Sequence, residues 1–260
     1  VVSVLSAQSV RRHRSGRGPA VVMLHCLGVD HRIWDHAAQA LEGTHTVLRY
    51  DLPGHHESPL PDAAYTIEDC SAQLVEVLDA EGIEQASVVG ISMGGLIAQH
   101  FAATQPQRTD RIVLCDTTPR YTEASRENWG RRAATARSAG VASMTEQLLQ
   151  VWFMPDFVAA DAPPVRYVRE RFSCVSGEGY AKACEALAAA DLRHLLPDIE
   201  APTLVVAGTE DVPDFLLAAQ SFVRVIPDAR LAWLSPGRHA APAQQPEQFA
   251  DALVPFLRGE

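Results

Sequence analysis

The segment "ASVVGISMGGLIAQHFAAT", residues 86–104, constrains the fold of this chain more than any other. An unbroken apolar run, 86–91, leads directly into Ser92. Glycines follow, and then apolar residues at helical spacing. Strand must therefore pass to helix through a turn with room for almost no side chain. Such a turn holds its serine in a strained conformation, with the hydroxyl exposed above a sheet. It also places that serine at a helix N-terminus, where free N–H groups favour a developing negative charge.

The rest of the chain supplies a sheet for this turn to belong to. Short runs rich in Val, Leu and Ile recur at 20–25, 45–50, 86–91, 111–116, 201–208 and 229–234. They do not alternate with polar residues, which is how strands buried on both faces of a parallel sheet read. Helical patterns at 33–42, 66–82, 93–104 and 246–259 separate or follow them. The alternation predicts an α/β fold with a mostly parallel central sheet flanked by helices. Residues 1–14 are expected to add one or two antiparallel edge strands. Between the runs at 111–116 and 201–208 no strand pattern occurs, and the segment reads as helical. An insertion of that length predicts a helical cap at 119–194, over a core formed by 1–118 and 195–260.

Composition narrows the function. A net charge of −10 argues against nucleic acid or an anionic membrane as partner. The apolar runs fall well short of the ~18 residues that span a bilayer. The opening "VVSVLSAQSV" lacks the basic region of a signal peptide. Five cysteines at irregular spacing suit free thiols in a reducing cytoplasm. Six histidines lie between residues 25 and 56: His25, His31, His36, His45, His55 and His56. No helical pair at ligand spacing occurs among them, so no metal is expected. The sequence leaves a homo-oligomer open.

A nucleophilic serine needs a base and an acid that orients the base. With this turn, the chain order is serine, acid, histidine. His239 lies in a loop after the run at 229–234 and before the final helix; His194, in "DLRHLL", reads as a packing or surface residue. "GTEDVPD" offers Glu210, Asp211 and Asp214 after the run at 201–208, and Asp211 fits best. Asp116, at the end of "RIVLCD", is the rival. An oxyanion would meet the backbone N–H of Met93 and that of Leu27, in the loop "LHCLGVDHRIW".

These features resemble the α/β-hydrolase superfamily over nearly the whole chain. "HCLG", "DLPGHHES", "GISMGG", "GTED" and the late histidine carry the resemblance. More narrowly, "GISMGGLIAQ", "TTPRYTEASRENWGRRAATARSAG", "EGYAKACEALAAADLRHLLPDIEAPTLVVAG" and "QQPEQFADAL" resemble the 3-oxoadipate enol-lactonases of aromatic-acid catabolism. The resemblance implies catalysis by Ser92, Asp211 and His239 without a cofactor. Three positions depart from the family pattern. Cys26 and His56 stand where glycine is usual, and "AAPAQ" follows His239 in place of a Leu-Ser-Asn-like run. All three bear on substrate identity.

The cap sequence adds its own hint of an acidic substrate. Arg120, Arg126, Arg131, Arg132 and Arg137 stand against Glu123 and Glu127, a local charge of +3 on an acidic chain. Arg126, Trp129 and Arg132 fall three apart, so one helical face can offer an aromatic wall and guanidinium groups. Arg120, Trp129 and Arg132 are the substrate-binding candidates, and a small anionic lactone is the expected partner. A general carboxylesterase, a C–C bond hydrolase of ring-cleavage products and a non-catalytic binding protein of the same fold are the alternatives.

Overall fold

In the computed structural model, which describes residues 5–260, seven strands form one sheet in the order β1-β3-β2-β4-β5-β6-β7. The strands are β1 (Arg12–Gly16), β2 (Ala20–Leu24), β3 (Thr46–Tyr50), β4 (Ala86–Ile91), β5 (Thr109–Cys115), β6 (Thr203–Gly208) and β7 (Ala229–Leu234). Only β1 is antiparallel, pairing with β3; every other ladder is parallel. One edge strand thus comes from the opening segment, whose residues 1–4 lie outside the described residues.

Strands β4 and β6 are buried at every position, as their unbroken apolar runs require. Helices α1 (Asp35–Leu41), α2 (Ile67–Ala80) and α3 (Met93–Thr104) connect the first strands. Helix α2 begins in a capping box: the Thr66 hydroxyl accepts from the Asp69 N–H, and the Asp69 carboxylate accepts from the Thr66 N–H. Strand β7 differs from the sequence reading. It is an edge strand with Trp233 40% exposed, because no strand among the described residues pairs beyond it. Its run has Arg230 on the exposed side, which is how an edge is kept from pairing with another chain.

Between β5 and β6 come five helices and no strand: α4 (Glu123–Ala139), α5 (Thr145–Trp152), α6 (Pro155–Ala159), α7 (Pro163–Ser173) and α8 (Gly177–Ala189). Helix α4 packs along α8, where Arg137 pairs with Glu178 and Glu185. Helices α9 (Pro213–Val225), α10 (Ala241–Gln244) and α11 (Pro246–Arg258) complete the chain, with α11 packed on α1.

Candidate active site

Ser92 occupies the turn between β4 and α3 with φ 52° and ψ −110°, a region that L-residues rarely adopt. Holding it there costs on the order of 1–3 kcal/mol. The surrounding packing meets that cost. The Ser92 N–H donates to the Cys115 carbonyl at 2.9 Å, and the Thr117 hydroxyl donates to the Ser92 carbonyl at 2.7 Å. The glycines follow from contact distances: a Cβ on Gly90 would lie 2.1 Å from the Gly94 carbonyl oxygen, and one on Gly94 would lie 2.3 Å from that of Leu24.

The loop after β6 carries Asp211, and the loop after β7 carries His239; both are buried. His239 Nδ1 and the Asp211 carboxylate lie 3.1 Å apart. The other Asp211 oxygen accepts from the Val212 N–H at 2.7 Å, which fixes the carboxylate against rotation. Phe215 and Trp152 pack on the imidazole at ring distances of 4.4 and 5.7 Å. Glu210 is exposed, Asp214 accepts from Ser125, and His194 is exposed.

Asp116 serves a different purpose from the one its strand-end position suggests. Its two carboxylate oxygens accept from the Gly208 N–H at 2.9 Å and the Ala241 N–H at 3.2 Å. It therefore ties the loop that carries Asp211 to the loop that carries His239. Burial raises its pKa, and the neighbouring Asp211 raises it further.

Ser92 and His239 face one cavity of about 400 Å³, lined also by Leu27, Tyr121, Trp129, Arg132, Trp152 and Phe215. No hydrogen bond joins the Ser92 and His239 side chains among the described residues. The N–H groups of Leu27 and Met93 have no acceptor among the described residues. An oxyanion formed at Ser92 can therefore use both. The loop around Leu27 is stitched to the loop after β3 by two buried histidines. His25 accepts from the Leu52 N–H at 2.8 Å, and His55 accepts from the Gly28 N–H at 3.0 Å. Burial lowers the pKa of both, His55 to about 3, so both are neutral.

The substrate-binding candidates separate. Arg120 pairs with Asp191 at 3.4 Å and does not line the cavity. The sequence named Arg120 as a substrate contact; in the structure its backbone bridges to Asp191, which takes the side chain with it. Arg126 donates to the Ala188 carbonyl, Arg131 pairs with Glu127, and Arg137 is taken by α8. Arg132 alone among these five has no carboxylate partner among the described residues. Its guanidinium lies 4.5 Å from the Trp129 ring centroid and donates to the Tyr180 hydroxyl. Tyr121, which the sequence reading did not single out, lines the same cavity as Ser92 and lies within interaction range of it. Nothing in the polar run "TTPRYTE" signalled it.

Two of the departures from the family pattern can be placed in the structure. Cys26 is buried, and its side chain does not line the cavity. His56 has φ 36°, a conformation in which glycine is free and other residues are strained. Among the early histidines, the ligating atoms of His13, His31 and Glu57 come within 4.8 Å of one another. The two imidazoles stack face to face, 3.8 Å apart at 16°, so their in-plane lone pairs do not converge on one ion. His31 instead bonds Asp51 at 2.8 Å, and His13 pairs with Glu57 at 2.9 Å.

A family profile described as alpha/beta hydrolase fold matches residues 19–245. The chain belongs to the α/β hydrolases. It is 31% identical to 3-oxoadipate enol-lactonase 2 of Acinetobacter baylyi, over 98% of this chain and 96% of that one. It is 32% identical to a pimeloyl-[acyl-carrier protein] methyl ester esterase of Chromobacterium violaceum, over 93% of this chain and 95% of the other. Among solved structures, the enol-lactonase from Burkholderia xenovorans superposes with a TM-score of 0.92 at 32% identity, covering 96% of each chain. This α/β hydrolase has no helix, among the described residues, long and apolar enough to cross a membrane.

Proposed function

We propose that this α/β hydrolase opens a small acidic lactone, 3-oxoadipate enol-lactone or a close analogue, by covalent catalysis at Ser92. The observation that carries the acidic substrate is Arg132. It faces the same cavity as Ser92, rests on Trp129 and lacks a carboxylate partner among the described residues. A substrate carboxylate is the counter-ion this arrangement suits. The likeness to enol-lactonases at about 30% identity supports the same reading.

In this reading Ser92 Oγ attacks the lactone carbonyl while His239 takes its proton. Asp211, bonded to the other ring nitrogen, holds the imidazole and stabilises its charged form. The oxyanion rests on the N–H groups of Leu27 and Met93. The ring C–O bond breaks, the leaving enol takes the proton from His239 and tautomerises to a ketone. Water activated by His239 then releases the acyl group. The five helices between β5 and β6 act as a cap that closes the cavity, and no cofactor takes part. The free cysteines suit a cytoplasmic setting.

A general carboxylesterase is the second reading. It is favoured by the apolar cavity wall of Val151, Trp152, Val212 and Phe215, and by a volume larger than a ten-atom lactone fills. The test is turnover of a panel: the enol-lactone, an acyl-homoserine lactone, a ring-cleavage dienoate and a nitrophenyl ester, with parent and Ser92→Ala. The expected result is highest kcat/KM on the enol-lactone, and a loss on the order of 10³-fold or more in the variant. Preference for the neutral ester removes the lactonase reading. Variant activity within about tenfold of the parent removes Ser92.

A further inference from the structure

We infer that the Tyr121 hydroxyl donates a hydrogen bond to the substrate's leaving oxygen as that oxygen departs from the acyl carbon on Ser92. The inference rests on the reading of Ser92 as nucleophile. Tyr121 is 3% exposed, and its hydroxyl has no hydrogen-bond partner among the described residues. Tyr121 lies within interaction range of Ser92, and both side chains border the same cavity. A buried donor without an acceptor is costly to keep, and here it opens onto the reaction cavity, where a substrate oxygen can satisfy it.

Position in the sheet says which oxygen. Tyr121 follows β5, which lies on the opposite side of β4 from β2. The Leu27 N–H, an oxyanion donor, follows β2. The tyrosine therefore approaches from the flank opposite the Leu27 donor. His239 shares that flank, since Phe215 contacts the His239 ring at 4.4 Å and the Tyr121 ring at 6.2 Å. Leaving oxygens depart towards the imidazole that protonates them. Trp129 and Phe215 meet the Tyr121 ring edge to face, at 79° and 90°, and fix its direction. Burial raises the pKa of the phenol, which keeps it a neutral donor.

In the step, the Ser92 Oγ–acyl carbon bond forms and the carbon–oxygen bond to the leaving group breaks. The serine proton passes through His239 to the leaving oxygen, and Tyr121 retains its own. Help of this kind matters most when the leaving oxygen is basic. The experiment compares Tyr121→Phe with the parent on esters of one acyl group and leaving groups from nitrophenol to a simple alcohol. The expected loss in kcat/KM is within about twofold for the nitrophenyl ester, and roughly tenfold to a hundredfold for the alkyl ester. Dependence on leaving-group basicity becomes steeper in the variant. Equal loss across the series, or none, overturns the inference. A thermal melt of the variant within a few degrees of the parent shows that the fold is kept; a large drop would mark the hydroxyl as structural and also overturn it. If Ser92→Ala keeps its activity, the nucleophile reading falls first; if only the leaving-group pattern fails, the role of Tyr121 falls alone.

Discussion

At the scale of residues, the decisive question is which guanidinium is free to bind. Spacing alone puts Arg126, Trp129 and Arg132 on one face of α4, and it makes all the arginines equal. The structure ranks them by their partners: Asp191 for Arg120, the Ala188 carbonyl for Arg126, Glu127 for Arg131 and the acids of α8 for Arg137. Most of those partners come from elsewhere in the chain, so no local pattern could have revealed them. Arg132→Ala should lower kcat/KM for an acidic lactone by roughly 30-fold, the loss of about 2 kcal/mol from a partly desolvated charge pair. A neutral ester of similar size should change little, and Arg120→Ala should leave both substrates within about twofold. Steady-state kinetics on the two substrates and two variants decides it. Equal losses on both substrates for Arg132→Ala would assign that side chain to packing with Trp129 and Tyr180 instead.

At the scale of elements, the C-terminal edge of the sheet works as one unit because its loops are bonded to one another. Asp116 shows how. Its carboxylate spans from Gly208 to Ala241, so the loop that carries Asp211 is bonded to the loop that carries His239. In Asp116→Asn an amide N–H₂ would face one of those backbone N–H groups, and a buried donor left unpaired costs about 1–3 kcal/mol. That variant should melt at lower temperature and keep much of its rate. Asp211→Asn should melt close to the parent and lose activity on the order of 10³-fold or more, since the imidazole loses its orienting charge. Thermal melts and kcat measured side by side check the pair; an Asp116→Asn variant with normal stability and the larger rate loss would make Asp116 the catalytic acid. The strands that frame these loops were legible because a buried parallel strand must be apolar at every position, as in β4 and β6. The edge position of β7 was not, since it depends on what lies beside a strand and its own run looks much the same. The contact between Asp211 and His239, and the cavity that Ser92 shares with His239, were legible through strand-end position and chain order. Tyr121 was not, because its place beside Ser92 is set by the turn from β5 into the helical insertion.

At the scale of the whole molecule, acid should loosen this protein well above the range where carboxylates titrate. The cause is the pair of buried histidines that join the Leu27 loop to the loop after β3. His55 is ordinarily half-protonated near pH 6.5, and in the fold burial and the nearby His25 hold it down to about 3. Between those values the unfolded chain binds a proton that the folded chain refuses. Stability therefore rises with pH across that window and is lost as pH falls through 6.5 towards 3, by up to about 1.4 kcal/mol per pH unit from His55. His25, lowered for the same reason, acts in the same direction. Asp51 is held well below the usual carboxylate range by hydrogen bonds from His31, so it adds to the loss at lower pH. Asp116 opposes them, because burial and Asp211 raise its pKa and favour its protonation on folding. Burial also lowers the pKa of His45, His56 and His100, which act in the same direction as His55 and His25. Five histidines thus lose stability near neutrality and Asp116 gains, so denaturant midpoints should fall between pH 7 and pH 5. His55→Gln removes one titrating group while keeping an acceptor for the Gly28 N–H. Its midpoint should depend less steeply on pH than the parent's, whatever its stability at pH 7. A parent midpoint that stays flat from pH 7 to pH 5 would mean that the two histidines titrate in the folded protein as they do in the unfolded chain. The loop that offers the Leu27 N–H would then not depend on their neutrality.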